Sequence, residues 1–381
     1  MTEQARHEAV WQALYALTHG WICRKFNLTH DELRLDGPCL LVSNHVSAWD
    51  PLLVAMSLKH KQLYYVASEH LFRMGPVSKA LEYLVAPIPR PKASSGFETV
   101  KTCLRRLKEG GSVGLFAEGE QSWDGRTAPI FPATGKLARS SGASLVTFRL
   151  EGGYLSLPRW GRGVRRGAVH AHVVNVYSPA QLKAMSAKEI TAAIERDISE
   201  NAWERQKAAP VRYRGRRTAE GLERALYLCP GCGRTDGLRS EDDTLSCACG
   251  RSWRYTPLGT FDPPEPFETI ADWDDWQRSA LLARRADDGP LFSDGGVTLT
   301  RLLPGHQEVP AGVGVLSQFD DRLICAGKTF PLREIDNMAM VLSRTMLLSM
   351  HGEYWQIRAG ERTNLRKYLE IWKHRDREDT K

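Results

Sequence analysis

Between residues 39 and 150 the chain switches repeatedly between two hydrophobic patterns. Continuous apolar runs read as buried strands: CLLVS (39–43), LYYVAS (63–68), SVGLFAE (112–118) and ASLVTFRL (143–150). Between them lie helix-like segments: PLLVAMSL (51–58), GFETVKTCLRRLKEG (96–110) and ATGKLARSSG (133–142). This rhythm predicts an α/β domain, a sheet flanked by helices. A strand at 168–177 and a long helix at 187–205 extend it, and a helix over 5–26 precedes it.

At 381 residues the chain has room for two or three domains. The expected division is 1–207 for the α/β domain, 208–224 as linker, 225–260 for a cysteine-bearing segment, 261–289 for a connecting helix, and 290–381 for a β module closed by a helix. Charge follows this division. Residues 1–217 carry 31 Lys and Arg against 19 Asp and Glu, and the remainder carries 21 against 26. The basic part suits anionic partners, and the acidic part weighs against nucleic acid. No apolar run has the length of a membrane span, and the polar N-terminus resembles no signal peptide. The expectation is a cytoplasmic protein whose membrane contact is peripheral, at the inner face of the cytoplasmic membrane.

The stretch NHVSAWD (44–50) places His45 where a strand stops and a helix starts, at the sheet edge where open α/β folds gather ligands. Asp50, followed by Pro51, has the signature of a helix N-cap. It could instead fold back and hold the His45 imidazole in one tautomer, leaving the second nitrogen to take a proton. The local sequence leaves both readings open.

His45 and Asp50 in N-H-x4-D, followed by FAEGEQSWDG at 116–125, resemble the glycerolipid acyltransferase family, which includes 1-acylglycerol-3-phosphate acyltransferases. The resemblance covers about residues 1–205. It implies that His45 is the base on an acceptor hydroxyl and that Asp50 supports it. The reaction implied moves an acyl group from acyl-CoA or acyl carrier protein to the 2-hydroxyl of 1-acylglycerol-3-phosphate, giving phosphatidate, without a catalytic cofactor. The family's Phe-Pro-Glu-Gly-Thr-Arg-Ser block falls on residues 116–122. Glu118 and Gly119 match and are expected to place the acceptor. The block's Pro, Thr and Arg are absent, and Arg126 is the expected stand-in for the Arg. In VAPIPRP (85–91), Arg90 takes the place of the family's phosphate ligand. Other acceptors, or a non-catalytic lipid-binding scaffold, are the alternatives.

Two further segments suggest membrane contact. The N-terminal helix carries Trp11 and Trp21 beside basic residues. LPRWGRGVRRG (157–167) sets four Arg around a Trp, as a loop for anionic headgroups or an acidic carrier protein. In the second half, CPGCG (229–233) and CACG (247–250) resemble a zinc ribbon. Cys229, Cys232, Cys247 and Cys249 would hold a structural zinc. The strands after 290, with the final helix, resemble a pleckstrin-homology-like barrel.

Overall fold

A computed structural model describes the whole chain except Met1 and residues 69–70, 73–74, 91–95, 287–288, 304–306, 342, 361–362 and 376–381. It divides into two compact units. The first holds Met1–Arg159 and Gly163–Arg216, the second Trp160–Arg162 and Arg217–Lys381. The break at 216/217 falls inside the stretch expected as linker. The cysteine segment, the helix after it and the β module all share the second unit.

The first unit begins with α1 (Glu3–Phe26), β1 (Leu28–His30), β2 (Cys39–Ser43), α2 (Asp50–Ala55), β3 (Leu63–Ser68) and α3 (Pro76–Val85). Next come β4 (Ile88–Arg90), α4 (Phe97–Lys108), β5 (Ser112–Phe116), α5 (Ala133–Ser140), β6 (Ser144–Glu151) and α6 (Gly153–Ser156). It ends with β7 (Val169–Tyr177), α7 (Pro179–Ala184), α8 (Ala187–Ile198) and α9 (Ala202–Ala208). The seven strands form one mixed sheet in the order β1-β7-β6-β2-β5-β3-β4. β6, β2, β5, β3 and β4 run parallel, β7 runs antiparallel to β6, and β1 pairs parallel with β7.

Central β2 is buried along its whole length because both faces are covered. Leu40 and Val42 join one hydrophobic cluster, Cys39 and Leu41 the other. That is why it reads as an unbroken apolar run rather than as alternation. The 187–205 helix is broken in two. Ser199 leaves helical geometry at ψ 124°, and Asn201 starts α9 by accepting the Trp203 and Glu204 N–H groups. The 51–58 helix is cut to six residues, and α3 lies where no element was expected.

α1 divides its aromatics. Trp11 is buried and its indole N–H donates to the Leu58 carbonyl at 2.8 Å. Leu17 and Trp21 are 80% and 54% exposed, and the Lys25 ammonium lies over the Trp21 and Trp49 rings. The basic loop is largely built into the protein. Trp160 is fully buried and meets Tyr255 edge to face. Arg165 is buried, and Arg159 donates to Glu120 Oε1 and the Gln121 carbonyl, both at 2.8 Å. Only Arg162 and Arg166 of the four are exposed, so the loop expected to face headgroups turns two of its cations inward.

In the second unit, β8 (Leu238–Glu241), β9 (Thr244–Cys247), β10 (Ser252–Tyr255) and β11 (Phe261–Asp262) form an antiparallel sheet in the order β11-β10-β9-β8. α10 (Ile270–Leu282) covers it through Trp273, which packs against Trp253 and Phe261 and donates to the Leu228 carbonyl at 2.9 Å. A second antiparallel sheet holds β12 (Phe292–Leu303), β13 (Gln307–Gln318), β14 (Arg322–Cys325), β15 (Lys328–Pro331), β16 (Ile335–Val341), β17 (Thr345–Met350) and β18 (Glu353–Arg358). Its order is β15-β14-β13-β12-β18-β17-β16. α11 (Arg366–Arg375) follows, with Asn364 Oδ1 accepting the Arg366 N–H at 2.8 Å.

Candidate active site

The carboxyl ends of β2 and β5 lie side by side, with Ser43 paired to Phe116, and the loops leaving them build the site. Asn44 anchors the first loop. Its amide donates to the Leu150 carbonyl at 2.9 Å and accepts the Leu150 N–H at 2.8 Å, tying β2 to β6. The next residue, His45, is held at both backbone groups. Its N–H donates to Glu118 Oε1 at 2.6 Å, and its carbonyl accepts the Ser122 N–H at 2.8 Å. The imidazole stacks on the Phe116 ring, with centroids 4.3 Å apart and planes 19° apart.

Asp50 does not cap α2. Its side chain is fully buried and turns back over the preceding loop. Oδ2 lies 2.7 Å from His45 Nδ1 and accepts the Val46 and Ser47 N–H groups at 2.6 and 2.9 Å. Oδ1 accepts the Ser47 hydroxyl at 2.7 Å. Four donors fix this carboxylate, and the carboxylate fixes the imidazole. An Nδ1–H held by Asp50 leaves Nε2 with its lone pair free. Among the described residues no hydrogen-bond partner reaches Nε2, and the His45 side chain keeps 18% exposure. The pair can take a proton from a hydroxyl brought to Nε2.

Glu118 is a brace between loops. Oε1 takes the His45 N–H and Oε2 takes the Ala128 N–H, each at 2.6 Å. Burial pushes its carboxyl up to about 8, against the pull of those two N–H groups and helped by the nearby Asp50 and Asp124 carboxylates. The ordinary value is 4.5, so the folded chain binds this proton more tightly than the unfolded one. The stability it contributes is full below about pH 4.5 and is lost as pH rises through about 8. Urea midpoints at pH 5 and pH 8 are therefore expected to fall further apart in the native chain than in Glu118→Gln.

Gly119 stands at φ +72°, and a Cβ there would lie 2.3 Å from Phe131 Cε2 and 3.0 Å from Arg90 Nη1. The missing side chain lets Phe131 and Arg90 close over this turn. The Arg90 guanidinium lies 4.4 Å above the Phe131 ring, and its burial lowers its pKa. Among the described residues it forms no ion pair. Arg126 is engaged otherwise. Its Nε and Nη2 both donate to Asp124 Oδ2, at 2.7 and 2.5 Å. So the structure gathers His45, Asp50, Glu118, Gly119 and Arg90 around adjoining loops, while Arg126 is committed to a carboxylate. The supports from Asn44, Ser47 and Ser122 carry no signal in the sequence beyond their place beside the His and the Glu.

The thiols expected to bind metal also converge. Cys229 and Cys232 lie in the turn before β8, Cys247 ends β9, and Cys249 lies in the turn to β10. Their four Sγ atoms are all within 4.8 Å of one another, with Cys229–Cys249 at 3.8 Å and Cys232–Cys247 at 3.7 Å. A tetrahedral ion with Zn–S bonds of about 2.3 Å sets thiolates about 3.8 Å apart, so the four residues fit zinc.

Comparison with known proteins finds similarity in the first unit. The family model described as Acyltransferase matches residues 25–151. The chain is 29% identical over 131 residues to a chloroplastic 1-acyl-sn-glycerol-3-phosphate acyltransferase of Brassica napus, covering 34% of this chain and 37% of that protein. It is 29% identical over 130 residues to its counterpart in Arabidopsis thaliana, covering 34% and 36%. The chain thus spans little more than a third of the length of these relatives. The crystal structure of the 1-acyl-sn-glycerophosphate acyltransferase of Thermotoga maritima superposes with a TM-score of 0.41 at 17% identity, over 52% of this chain and 78% of that one. The part of the chain that matches this family model, residues 25–151, contains both the His45–Asp50 pair and the Glu118–Gly119 turn.

Proposed function

We propose that the protein transfers an acyl group from acyl-CoA or acyl carrier protein to the 2-hydroxyl of 1-acylglycerol-3-phosphate, giving phosphatidate. The observation that carries this reading is the 2.7 Å contact between His45 Nδ1 and the buried Asp50 carboxylate, with Nε2 left open. The acceptor hydroxyl gives its proton to Nε2 while its oxygen attacks the thioester carbonyl carbon. The C–S bond then breaks, and the thiolate leaves with the proton from His45. The Asp50 charge supports the imidazolium between these steps.

The acceptor's phosphate rests on Arg90, a half-buried cation stacked on Phe131 and without an ion pair among the described residues. Arg126, paired with Asp124, stabilises its own loop instead. A headgroup held by one Arg rather than two favours, as second reading, another lyso-lipid acceptor. Arg90→Gln is expected to raise KM for lysophosphatidate about 10-fold or more while leaving kcat within about 2-fold, since a lost charge-assisted contact is worth roughly 1.5–3 kcal/mol. Steady-state kinetics with lysophosphatidate and with uncharged monoacylglycerol would show whether the effect follows the phosphate.

Among the described residues no helix is long and apolar enough to cross a membrane. Peripheral contact through exposed Leu17 and Trp21 fits that finding, with the inner face of the cytoplasmic membrane as the site proposed. In the second unit, a zinc held by the four thiolates serves structure, and the β module with α11 is read as a pleckstrin-homology-like docking element. The test of the main proposal is free-thiol release from a long-chain acyl-CoA in the presence of lysophosphatidate vesicles. Release with phosphatidate formed is expected. Release only with another acceptor would replace the substrate, and no release with either thioester donor would leave a lipid-binding scaffold.

A further inference from the structure

A second group of metal-ligating side chains lies in the first unit, apart from the residues used above. His19 and Cys23 are four residues apart on α1 and so share a face. His30 ends β1, the edge strand, which pairs with β7 over only three residues. The ligand atoms of the three side chains all lie within 4.8 Å of one another. His19 Nε2 is the meeting point, 2.9 Å from His30 Nε2 and 3.6 Å from Cys23 Sγ.

The geometry points to a transition-metal site, and we propose that His19, Cys23 and His30 bind one Zn²⁺ ion. Zinc bonds of about 2.0–2.1 Å to nitrogen and about 2.3 Å to sulfur, in a tetrahedron, put N and S about 3.6 Å apart. The observed His19–Cys23 separation is 3.6 Å. Two ligating nitrogens would lie about 3.4 Å apart, so the histidine rings open by about half an ångström from their 2.9 Å contact. Orientation is supplied in advance. His30 Nδ1 lies 3.0 Å from the Asp31 carbonyl, and an N–H donated there leaves the Nε2 lone pair aimed at His19. The His19 ring is stacked on Tyr15 at 4.7 Å, which limits its rotation.

The ligand set selects the metal. Two imidazoles and one thiolate, with no carboxylate among the converging groups, suit zinc rather than magnesium or calcium. His19 also lines an open cavity of ≈ 330 Å³ with Tyr15, Lys59 and His60, and a water would supply the fourth ligand. An ion here would pin the edge strand β1 to the helix before it.

This site is independent of the four-thiolate cluster and of the acyl-transfer reading. The test is zinc content per full-length chain, purified without a polyhistidine tag, incubated with Zn²⁺ and dialysed exhaustively. Wild-type protein is expected to retain two equivalents. His30→Gln and Cys23→Ser should each lose one, and Cys232→Ser should lose the other. A wild type holding a single ion that His30→Gln loses and Cys232→Ser keeps would support this site and remove the ribbon's. Zinc content unchanged in both His30→Gln and Cys23→Ser, or none retained by the wild type, would overturn the proposal. Cobalt substitution gives a check that does not depend on stoichiometry. In Cys232→Ser, a single-thiolate charge-transfer band should persist, and adding Cys23→Ser should abolish it. Circular dichroism confirms that each variant folds.

Discussion

Replacing His45 by alanine is expected to lower the rate of thiol release by about 10²–10⁴-fold, which is roughly 3–5 kcal/mol of transition-state stabilisation. The imidazole stacks on Phe116 and pairs with the buried Asp50 carboxylate, so the melting temperature should fall as well, and rates are compared where both chains are folded. Asp50 separates two contributions. In Asp50→Asn an amide oxygen can take the place of Oδ2 and still accept from His45, Val46 and Ser47, while the amide N–H meets a rotated Ser47 hydroxyl. Geometry is kept and the negative charge beside the imidazolium is lost. A fall of about 10²-fold or more in kcat, with KM for the acyl donor unchanged, is the expected outcome. In Asp50→Ala the same backbone donors lose their partner in a buried turn. That variant should also unfold more readily, at about 1–3 kcal/mol for each unsatisfied group. Equal activity in His45→Ala and the native chain would end the assignment of the base.

The second large effect lies in the cysteine cluster. Cys232 and Cys249 are exposed, and a surface Cys→Ser exchange ordinarily changes stability by no more than about 0.5 kcal/mol. With a zinc held by all four thiolates, Cys232→Ser should instead cost several kcal/mol. Structural zinc sites bind with apparent free energies of about 10–16 kcal/mol, as large as the whole stability of a typical domain. Trp253 and Phe261 pack the β10 and β11 side of the sheet on α10, while β8 and β9, beside the thiols, have four residues each. Chelation is therefore expected to expose the amides of residues 229–247 to hydrogen exchange. α10 should keep its protection where Trp273 packs on Phe267. Identical exchange with and without chelator would show that the thiols carry no structural metal.

These expectations draw unequally on the sequence. The rhythm of 39–150 was legible because its strands carry apolar runs, unbroken from Leu40 to Val42 where β2 is covered on both faces. The pairing of His45 with Asp50 was half legible. Their spacing allowed either a cap or a contact, and the contact prevailed because the loop's N–H groups at Val46 and Ser47 draw the carboxylate back. The helix expected over 187–205 failed at Ser199 to Asn201, where an Asn that can serve inside a helix starts a new one instead. The basic loop at 157–167 read as surface because Arg is usually exposed. Glu120 and Trp123 draw Arg159 inward, and no local pattern announces a partner so far along the chain.

By itself, the sequence determined what depends on neighbours along the chain: the layered α/β class, the His45 turn at a strand end, and cysteine pairs close enough to share an ion. The tertiary structure alone decided what depends on strand order. β5 returns to lie beside β2, and this brings Glu118 against the His45 N–H across 73 residues of sequence. The same return sets Gly119 under Arg90 and Phe131. Hydrophobic periodicity reports which face of an element is buried. It carries no information about which element will be its neighbour, and the chemistry of this site is made between neighbours.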